Sequence, residues 1–317
     1  MKLISPISGT ELKLVDGFYV DEIGNKFPII NSIPRFISGS NYTENFGFQW
    51  NIFSKTQLDY PSIQFTKNRF EKTTNWNFDQ LDNLDILEVG SGAGRFTNIF
   101  LAYTNCNLWS FDYSNAVEAN FINNGHYSSN RFNLIQASLY DAPFKDNTFD
   151  KVFCLGVLQH TPDFERSVKI LINKAKKGGE IVVDFYPVRG WWTKIHAKYF
   201  FRPFLKKLPN NELLRYITFN IDWLIIIFDL LVFFRIGFFT RFLPITDLRG
   251  FPAELGKHER RQWAILDTFD GFSPEFDNPK KIRDVVLMFE NNGAKVSFAD
   301  YIQLDNGSSA VVRAVKS

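Results

Sequence analysis

Apolar residues in the central part of this chain form short runs that are separated by longer stretches of mixed polarity. The apolar runs, rich in β-branched and aromatic residues, predict strands over 84–89, 107–112, 132–136, 150–155 and 179–185. The stretches between them predict helices over 93–103, 114–123 and 163–176. Strands that alternate with helices of this length favour a parallel sheet that is covered by helices on both faces.

The C-terminal part continues the pattern with a predicted helix over 280–292 and two strands over 294–303 and 308–315. Asp305-Asn306-Gly307 joins these two strands. Asn-Gly between alternating apolar runs is typical of a hairpin, so the last two strands are expected to pair antiparallel.

The acid Glu88 lies near the end of the first predicted strand, and a turn with Gly90, Gly92 and Gly94 follows this strand. Glycine accepts positive φ and leaves bare backbone for a ligand, and the helix that follows begins with unpaired N–H groups. Dinucleotide-binding enzymes use a similar turn, but there the third glycine comes three residues after the second, not two. Because Glu88 would repel a pyrophosphate and attract an ammonium group, S-adenosylmethionine fits this turn better than a dinucleotide. The second strand ends at Asp112, where doubly wound folds carry an acid that binds ribose hydroxyls.

Four segments of the chain resemble the class I S-adenosylmethionine-dependent methyltransferases, in the small-molecule family known as type 11. They are LEVGSGAGRFT, FDYSNAV, ASLYDAPFKDNTFDKVFCLGVLQHTPD and KAKKGGEIVVDFYP, which together cover roughly residues 81–186. The resemblance implies an α/β fold with a doubly wound, mostly parallel, seven-stranded Rossmann-like sheet and an antiparallel last strand. The units expected are 1–40, 41–80, 81–186, 187–279 and 280–317, of which the third and the last form the core.

The resemblance also implies which residues bind S-adenosylmethionine. Glu88 is expected to hold the methionine amino group, Asp112 to bind the ribose, and the backbone near Leu155 to face the methionine end. The family acid that binds the adenine amino group is replaced by Ser138, whose hydroxyl accepts a hydrogen bond more weakly than a carboxylate does. The complete expected set is Glu88, Gly90, Ser91, Gly92, Gly94, Asp112, Tyr113, Ser138, Leu139 and Leu155.

Methyl transfer from a sulfonium is an in-line displacement, so positioning of the reactants supplies much of the rate. A hydroxyl acceptor also needs a general base. His160 follows the fourth strand, where the methyl group is expected, and its ordinary pKa of about 6.5 suits a base near neutrality. The alternative is that His160 only caps and packs the following helix. His258 and Asp267 are secondary candidates, and no metal is expected.

Residues 1–40 resemble a small zinc-ribbon module that carries Ser5 and Ser8 where such modules have cysteines. Structural zinc needs about four Cys or His ligands, and this segment contains neither residue type. We therefore expect a degenerate ribbon, without metal, that is held together by apolar packing.

Residues 41–80 resemble the N-terminal lead-in of methyltransferases that belong to surface-polysaccharide and natural-product pathways. In that family, segments before the first strand fold over the cofactor. Gln49 and Trp50 are therefore lid candidates, and simple packing of the aromatic residues onto the sheet is the alternative.

The segment 187–279 is expected to be a mostly helical insertion that serves as a substrate lid or an oligomer interface. Lys194, Lys198, Arg202 and Lys206 recur every four residues, which predicts a basic helix face on an anionic membrane surface or in solvent.

The second part of the insertion, 221–239, is very apolar, but its acidic residues argue against a membrane span. Arg215, Asp222 and Asp229 are spaced by seven and are expected to form one charged stripe on a helix that is buried in a lid or an oligomer interface, or else to line a substrate pocket. Residues 266–279 predict a turn-rich acidic loop, which resembles the C-terminal signature of the polysaccharide-linked enzymes.

Composition narrows the function further. The 36 basic and 34 acidic residues give a net charge of +2, which does not indicate a nucleic-acid partner. Two cysteines are too few for a disulfide framework, and the N-terminus lacks the apolar core of a signal peptide, so a cytoplasmic location is expected.

We therefore expect a methyltransferase that acts at oxygen on a small-molecule, sugar-nucleotide, or glycan- or lipid-linked acceptor. Two alternatives stay open: a carbon methyltransferase of a lipid or quinone-like acceptor, and a non-enzymatic partner protein. Peripheral membrane contact through 191–239 and a homodimer also stay open.

Overall fold

The computed structural model describes residues 2–37, 39, 41–60, 64–127, 131–304 and 307–317. The strands are β1 (Lys13–Val15), β2 (Phe18–Val20), β3 (Lys26–Ile30), β4 (Ile33–Phe36), β5 (Asp85–Val89), β6 (Asn107–Asp112), β7 (Phe132–Ala137), β8 (Phe149–Cys154), β9 (Ala175–Phe185), β10 (Ala294–Leu304) and β11 (Gly307–Lys316). The helices are α1 (Glu44–Ile52), α2 (Phe65–Thr74), α3 (Arg95–Tyr103), α4 (Ala116–Asn124), α5 (Phe164–Lys174), α6 (Ala197–Leu205), α7 (Asn210–Phe233), α8 (Lys257–Phe272) and α9 (Ile282–Asn291).

The core of the sheet has the order β7-β6-β5-β8-β9-β11-β10. The five strands from β5 to β9 pair in parallel, while β11 pairs antiparallel with both β9 and β10. This arrangement confirms the predicted doubly wound α/β fold with its antiparallel last strand. Of the predicted hairpin turn, Asp305 and Asn306 lie outside the described residues, and Leu304 pairs with Gly307 across it.

Side chains alternate along β5, so successive residues of this strand belong to the apolar clusters on opposite faces of the sheet. Leu87 and Val89 belong to the apolar cluster on one face of the sheet, whereas Ile86 belongs to a second cluster with Phe70 and Phe100. Full burial of side chains of this size stabilises the fold by about 1.5–3 kcal/mol each. The sheet is thus held from both faces, and its strand ends are fixed in position.

The predicted seven-stranded core is confirmed, and the strands of the N-terminal segment extend the described sheet to eleven strands. β4 pairs in parallel with β7, which joins the N-terminal strands β1 to β4 to the core. Buried Arg35 on β4 donates to Gln136 Oε1 (2.7 Å) and forms an ion pair with Glu118 on α4. The physical reason is that β7 would otherwise expose an unpaired strand edge.

Hydrogen bonds stabilise the N-terminal segment, in addition to the predicted apolar packing. Ser5 Oγ and Ser8 Oγ donate to Asp21 Oδ2 at 2.8 and 2.9 Å, and Asn25 Nδ2 donates to the same oxygen at 2.8 Å. Burial would raise the pKa of Asp21, but the hydrogen bonds from Asn25, Ser5 and Ser8 outweigh it and hold the pKa well below its usual range. The two serines therefore bind a carboxylate; the described residues contain no cluster of three or more His, Cys, Asp or Glu that could hold a metal.

The predicted basic row of the insertion binds another part of the protein. Lys198 Nζ lies 3.0 Å from Asp277 Oδ2, Lys206 Nζ lies 3.2 Å from Glu275 Oε1, and Arg202 donates to the carbonyl of Pro274. Lys194 precedes the helix and is not part of the row. The expectation that this row faces a membrane or solvent is therefore wrong, because the acidic segment that follows α8 neutralises it.

The apolar helix α7 packs against α8. Asp222 Oδ1 lies 2.7 Å from Arg261 Nε, and Asp229 Oδ1 lies 2.6 Å from Arg260 Nη2. Two of the three stripe residues, Asp222 and Asp229, therefore lie in a contact between α7 and α8, which the sequence did not predict. Arg215 is exposed. By length and composition alone, α7, with a mean hydropathy of 1.8, is the one helix in the described part of the chain that would suffice to cross a membrane.

The predicted loop over 266–279 is wrong in its first part, because α8 continues to Phe272. Leu266, Phe269 and Phe272 are buried against α7, and this packing outweighs the turn-forming residues nearby. As a result Asp267 and Asp270 lie on a helix face and not on a loop.

Candidate active site

A cavity of 420 Å³ lies at the edge of the sheet where β5, β6 and β8 end. In open α/β sheets this edge is the usual ligand site. The strand ends form one wall, and residues of α1, α2 and α8 form the other. Two structurally different halves therefore meet in one cavity.

The glycine turn after β5 requires glycine for two reasons. Gly90 has φ of +76° and a Cβ there would lie 2.4 Å from Val157 Cγ2; Gly92 has φ of +53° and a Cβ would lie 3.1 Å from Trp50 Nε1. Both line the cavity together with Ser91, as predicted. Gly94 does not line the cavity. It is the N-cap residue of α3 and lies against Asn120, whose Oδ1 would be 2.2 Å from a Cβ at this position.

Asp112, at the end of β6, lines the cavity as predicted. Its Oδ2 accepts from Gly92 N (2.8 Å), and its Oδ1 accepts from Ser114 N (2.8 Å) and Ser114 Oγ (2.7 Å). Burial raises the pKa of Asp112. A carboxylate has about four acceptor positions, so Asp112 keeps acceptor capacity for a ligand hydroxyl.

Besides Gly94, two more residues of the expected cofactor set do not line the cavity. Glu88 lies on the opposite face of β5 from Val89, where its Oε2 accepts from Thr97 Oγ1 and from Ser110 Oγ (2.8 Å). Burial raises the pKa of Glu88 to about 7. Ser138 is buried, and its hydroxyl accepts from Tyr140 N at 3.1 Å as the cap of a short 3-10 helix. The predicted contacts of Glu88 with an amino group and of Ser138 with adenine therefore find no support in the geometry.

The remaining predicted cofactor residues, Tyr113, Leu139 and Leu155, line the cavity. Three buried polar atoms of the lining residues have no hydrogen-bond partner in the described part of the chain: Ser91 Oγ, Gln49 Oε1 and Arg69 Nε. Buried polar groups are nearly always hydrogen-bonded. These three atoms therefore fit a cavity whose ligand carries polar groups.

Two arginines that the sequence did not predict as site residues line the cavity. Arg69 Nη2 lies 2.7 Å from Asp184 Oδ2, and Arg95 Nη1 donates to Gln57 Oε1 at 2.5 Å. Burial and the nearby Arg69 lower the pKa of Arg95 to about 10. The signal was available for Arg95, because a cation directly follows the glycine turn, but Arg69 is placed by tertiary packing.

His160 lies on the other side of the cavity, between the rings of Phe46 and Tyr186. Its Nδ1 is 3.1 Å from the carbonyl oxygen of Phe276, and its Nε2 is 4.0 Å from Asp270 Oδ2. Because a carbonyl only accepts, Nδ1 must carry the proton, and Nε2 of the neutral ring keeps its lone pair. Burial lowers the pKa of His160, which favours this neutral form.

Asp270, which the sequence analysis did not select, is the centre of the polar contacts near His160. Its Oδ1 accepts from Gln49 Nε2 (2.9 Å), and its Oδ2 accepts from the hydroxyl of Tyr186 (3.2 Å). Nothing in the local sequence indicates that α1, β9 and α8 meet here. Gln49 and Trp50 both line the cavity, where a lid is predicted, while Phe48 packs on Phe269 of α8 and not on the sheet.

The two secondary candidates for the general base, Asp267 and His258, differ in their position relative to the cavity. Asp267 lines the cavity, where burial and the neighbouring Asp270 raise its pKa to about 7. Its oxygens already accept from Gln57 Nε2 (3.2 Å) and Trp263 Nε1 (3.1 Å). His258 is exposed in the first turn of α8 and does not line the cavity, so the geometry gives its candidacy no support.

Residues 87–183 match the family model described as a methyltransferase domain. This chain carries a methyltransferase domain. The match spans β5 to β9, which are the strands that build the glycine turn and the Asp112 wall. The cofactor of this domain is S-adenosylmethionine, as the sequence predicts.

Curated proteins share this methyltransferase domain with the chain. The tRNA U34 carboxymethyltransferase of Nautilia profundicola is 31% identical over 132 residues, which cover 40% of this chain and 43% of that protein. Phosphoethanolamine N-methyltransferase of Triticum aestivum is 31% identical over 30% of this chain and 19% of its own length. Sterol 24-C-methyltransferase of Kluyveromyces lactis is 27% identical over 31% and 27%. The chain therefore spans less than half the length of each of these relatives.

Two solved structures resemble the chain at low similarity. Magnesium protoporphyrin IX methyltransferase from Synechocystis is 16% identical with a TM-score of 0.49, and covers 87% of this chain and 97% of its own. A methyltransferase in complex with the Trm112 activator of Haloferax volcanii has 10% identity, a TM-score of 0.48, and coverage of 88% and 99%. The fold assignment rests on the strand order and not on these two likenesses.

The residues that line the cavity fit S-adenosylmethionine in their chemistry. Gly90 and Gly92 offer bare backbone, Asp112 offers a carboxylate, and Arg95 offers a cation. A zwitterionic cofactor with a ribose needs these three types of partner. No pyrophosphate-binding element is required.

Proposed function

We propose that this protein methylates a hydroxyl group on a small-molecule, sugar-linked or lipid-linked acceptor, with His160 as the general base. The observation that carries the proposal is the 4.0 Å separation between His160 Nε2 and Asp270 Oδ2. When His160 is neutral, its Nε2 and Oδ2 of Asp270 are both hydrogen-bond acceptors, and two acceptors do not form a hydrogen bond with each other. A hydroxyl placed beside them would supply the missing donor.

The electrostatics of this pair suit a base. Because burial lowers the pKa of His160, the ring is neutral and ready to accept a proton near pH 7. Once His160 is protonated, the carboxylate of Asp270 would stabilise the positive charge. Phe276 holds the ring through Nδ1, so that Nε2 keeps its orientation during the reaction.

The other residues would position the reactants. Asp112 would accept hydrogen bonds from the ribose hydroxyls, the backbone from Gly90 to Gly92 would contact the cofactor, and Arg95 would pair with its carboxylate. When bound, S-adenosylmethionine would supply an activated methyl group together with a neutral thioether leaving group. His160 Nε2 would accept the proton of the acceptor hydroxyl as its oxygen takes up the methyl group.

The acceptor class cannot be carried over from the relatives. Their names refer to a tRNA uridine, phosphoethanolamine and a sterol, and each shares with this chain only a part of its length. The side of the cavity around His160, which we call the acceptor half, includes residues of the insertion such as Asp267 and Asp270. These residues lie outside the family match. We assign the protein to the cytoplasm because its two cysteines, Cys106 and Cys154, are buried free thiols.

The experiment is methyl transfer from labelled S-adenosylmethionine to three acceptor panels: sugar nucleotides, extracted glycolipids and total tRNA. The proposal expects label in one of the first two panels, base-stable as an ether, and its loss in His160→Gln. Label in tRNA alone would overturn the proposed acceptor class and keep the methyltransferase. Label on carbon that does not depend on His160 would overturn the oxygen acceptor.

A further inference from the structure

The C-terminal end of α7 and the segments beside it expose an unusual number of large apolar side chains. We call this surface the aromatic patch, and it consists of Trp191, Trp192, Ile195, Phe233, Phe234, Ile236, Phe238, Phe239 and Phe242. Trp191 is 80% exposed and Phe233 is 77% exposed. A contiguous exposed apolar surface of this kind marks an interaction site.

The two segments that form the aromatic patch are held together by Arg241. Its Nε donates to the carbonyl of Ile195 (2.8 Å), its Nη2 donates to the carbonyl of Trp192 (2.7 Å), and its guanidinium lies 5.2 Å from the ring of Phe238. The aromatic side chains of 191–195 and of 237–242 therefore belong to one surface.

Helix α7 extends the aromatic patch along its exposed face. Its buried residues lie on one side of the helix at spacings of three and four: Leu213, Ile217, Ile221, Leu224 and Phe228. Its exposed residues lie on the opposite side at the same spacings: Phe219, Trp223, Ile226, Leu230 and Phe233. At 100° per residue the two sets are centred about 160° apart. From Phe219 to Phe233 the outward side of α7 therefore presents five large apolar side chains to solvent.

Positive charge accompanies the aromatic patch. Lys194 follows Trp192 and Arg235 follows Phe234; both are exposed, and neither forms an ion pair with any described residue. Residues 187–249 contain ten basic and four acidic residues, whereas the rest of the chain contains 26 basic and 30 acidic residues. Exposed aromatic residues interleaved with unpaired cations suit the interface of an anionic bilayer.

A second copy of the chain fits this surface less well. A two-fold interface would bring the patch against itself, so that Lys194 and Arg235 would meet like charges in an apolar contact without acidic partners. Unpaired charges in such a contact are costly. A bilayer surface instead offers hydrocarbon to the rings and phosphate groups to the cations.

A transmembrane orientation of α7 also fits less well. It would separate Asp222 and Asp229 from Arg261 and Arg260, and would remove the inward face of α7 from its contact with α8. Each acid would cost about 2.5–3.5 kcal/mol at the bilayer centre. A helix that lies along the surface keeps all of these contacts.

We infer that the insertion docks the protein on an anionic membrane surface, with the aromatic patch in the interfacial layer and α7 parallel to the membrane plane. The cavity lies close in the chain to this surface, because Thr246 and Phe251, which line it, follow the patch by a few residues. The docking does not depend on the proposed acceptor chemistry. It would let an amphipathic acceptor enter the cavity from the membrane.

Co-sedimentation with vesicles tests the inference. The full-length protein should bind vesicles of phosphatidylglycerol and phosphatidylcholine in equal parts, and should bind phosphatidylcholine vesicles much more weakly. The double variant Phe238→Ser, Phe239→Ser should lose at least about tenfold in vesicle affinity, while Lys194→Glu should lose about fivefold or more. Matched controls are Ile122→Ser, which removes an exposed apolar side chain on α4, and Lys177→Glu on β9; both should bind as the wild type does.

Calorimetric titration with S-adenosylmethionine accompanies each variant, and unchanged cofactor affinity shows that the fold and the active site are intact. Vesicle binding that the aromatic substitutions leave unchanged would overturn the inference. Resistance of the bound protein to alkaline carbonate extraction would overturn it in favour of a span. A dimer in ultracentrifugation that Phe238→Ser disrupts, without vesicle binding, would overturn it in favour of a second copy.

Discussion

The two halves of the cavity are built by different means. The cofactor half consists of strand ends and turns: Gly90, Asp112 and Leu155 all lie where parallel strands of the core end. The acceptor half consists of side chains from separate elements, with His160 after β8, Tyr186 after β9 and Asp270 on α8. The first half is fixed by the sheet, whereas the second depends on how the insertion packs.

This difference indicates where specificity resides. A wall made of backbone and strand ends tolerates little change, because Gly90 and Gly92 each exclude a side chain. A wall made of helix side chains can change its acceptor by substitution without disturbing the sheet. We therefore expect substitutions in the acceptor half to alter turnover, and substitutions in the cofactor half to alter cofactor affinity.

The largest expected effect is on turnover in His160→Gln. Loss of the base should lower kcat by about 10²–10⁴-fold, while the affinity for S-adenosylmethionine stays near that of the wild type, since the amide can still donate to the carbonyl of Phe276. His258→Gln, on the exposed face of α8, is the matched control and should turn over normally. Equal losses in both variants would contradict the separation of the two histidines.

The pH dependence of kcat sharpens the assignment of the base. Because burial lowers the pKa of His160, the rate should stay constant from pH 8 to pH 7 and fall only below about 6.5. If Asp267 were the base, its pKa of about 7 would place the acidic limb near neutrality. An acidic limb near pH 7 that disappears in Asp267→Asn would transfer the role from His160 to Asp267.

Asp112→Ala tests the cofactor half. Charged hydrogen bonds are worth about 1.5–3 kcal/mol each, so the Kd for S-adenosylmethionine should rise roughly 10- to 150-fold. Asp267→Asn, in the acceptor half, should leave this Kd nearly unchanged. Equal affinity in Asp112→Ala and the wild type, measured by calorimetry, would refute the ribose assignment.

Glu88→Gln should have the smallest effect on cofactor affinity, because Glu88 faces Thr97 and Ser110 on the far side of β5. Its effect is expected in stability. Burial raises the pKa of Glu88 from 4.5 to about 7, so the favourable contribution of its protonated form is present below pH 4.5 and is lost as the pH rises through 7. The free energy of unfolding of the variant, relative to wild type, should therefore rise by on the order of 3 kcal/mol between pH 4.5 and pH 8. Thermal melts at both pH values measure it, and Glu22→Gln, on the surface, should show no such change.

The core could be predicted from the sequence because local pattern and tertiary fold agree there. The bounds of β6 are those predicted, and α3, α4 and α9 differ from their predicted bounds by a few residues. The geometry does not support the predicted contact of Glu88 with the cofactor. Side chains alternate along a strand, and Glu88 faces the opposite side of β5 from cavity-lining Val89.

The acceptor half could not be predicted because its contacts join residues that are far apart in the chain. Asp270 meets Gln49 and Tyr186 across more than eighty positions, and a single sequence does not specify such contacts. The loop predicted at 266–279 shows the same limit, because burial of Leu266 and Phe269 against α7 extends the helix past its turn signals. The four-residue spacing of the basic residues predicted that they share one face of a helix. It did not predict that the acidic segment after α8 binds them.

Calorimetric titration of the purified protein with S-adenosylmethionine and S-adenosylhomocysteine tests the central claim most directly, with NADH as the competing ligand. The account predicts saturable binding of both sulfur compounds, no binding of NADH, and a much weaker isotherm for Asp112→Ala. Absence of binding by the wild type, or binding that Asp112→Ala leaves unchanged, would contradict the placement of the cofactor between the glycine turn and Asp112.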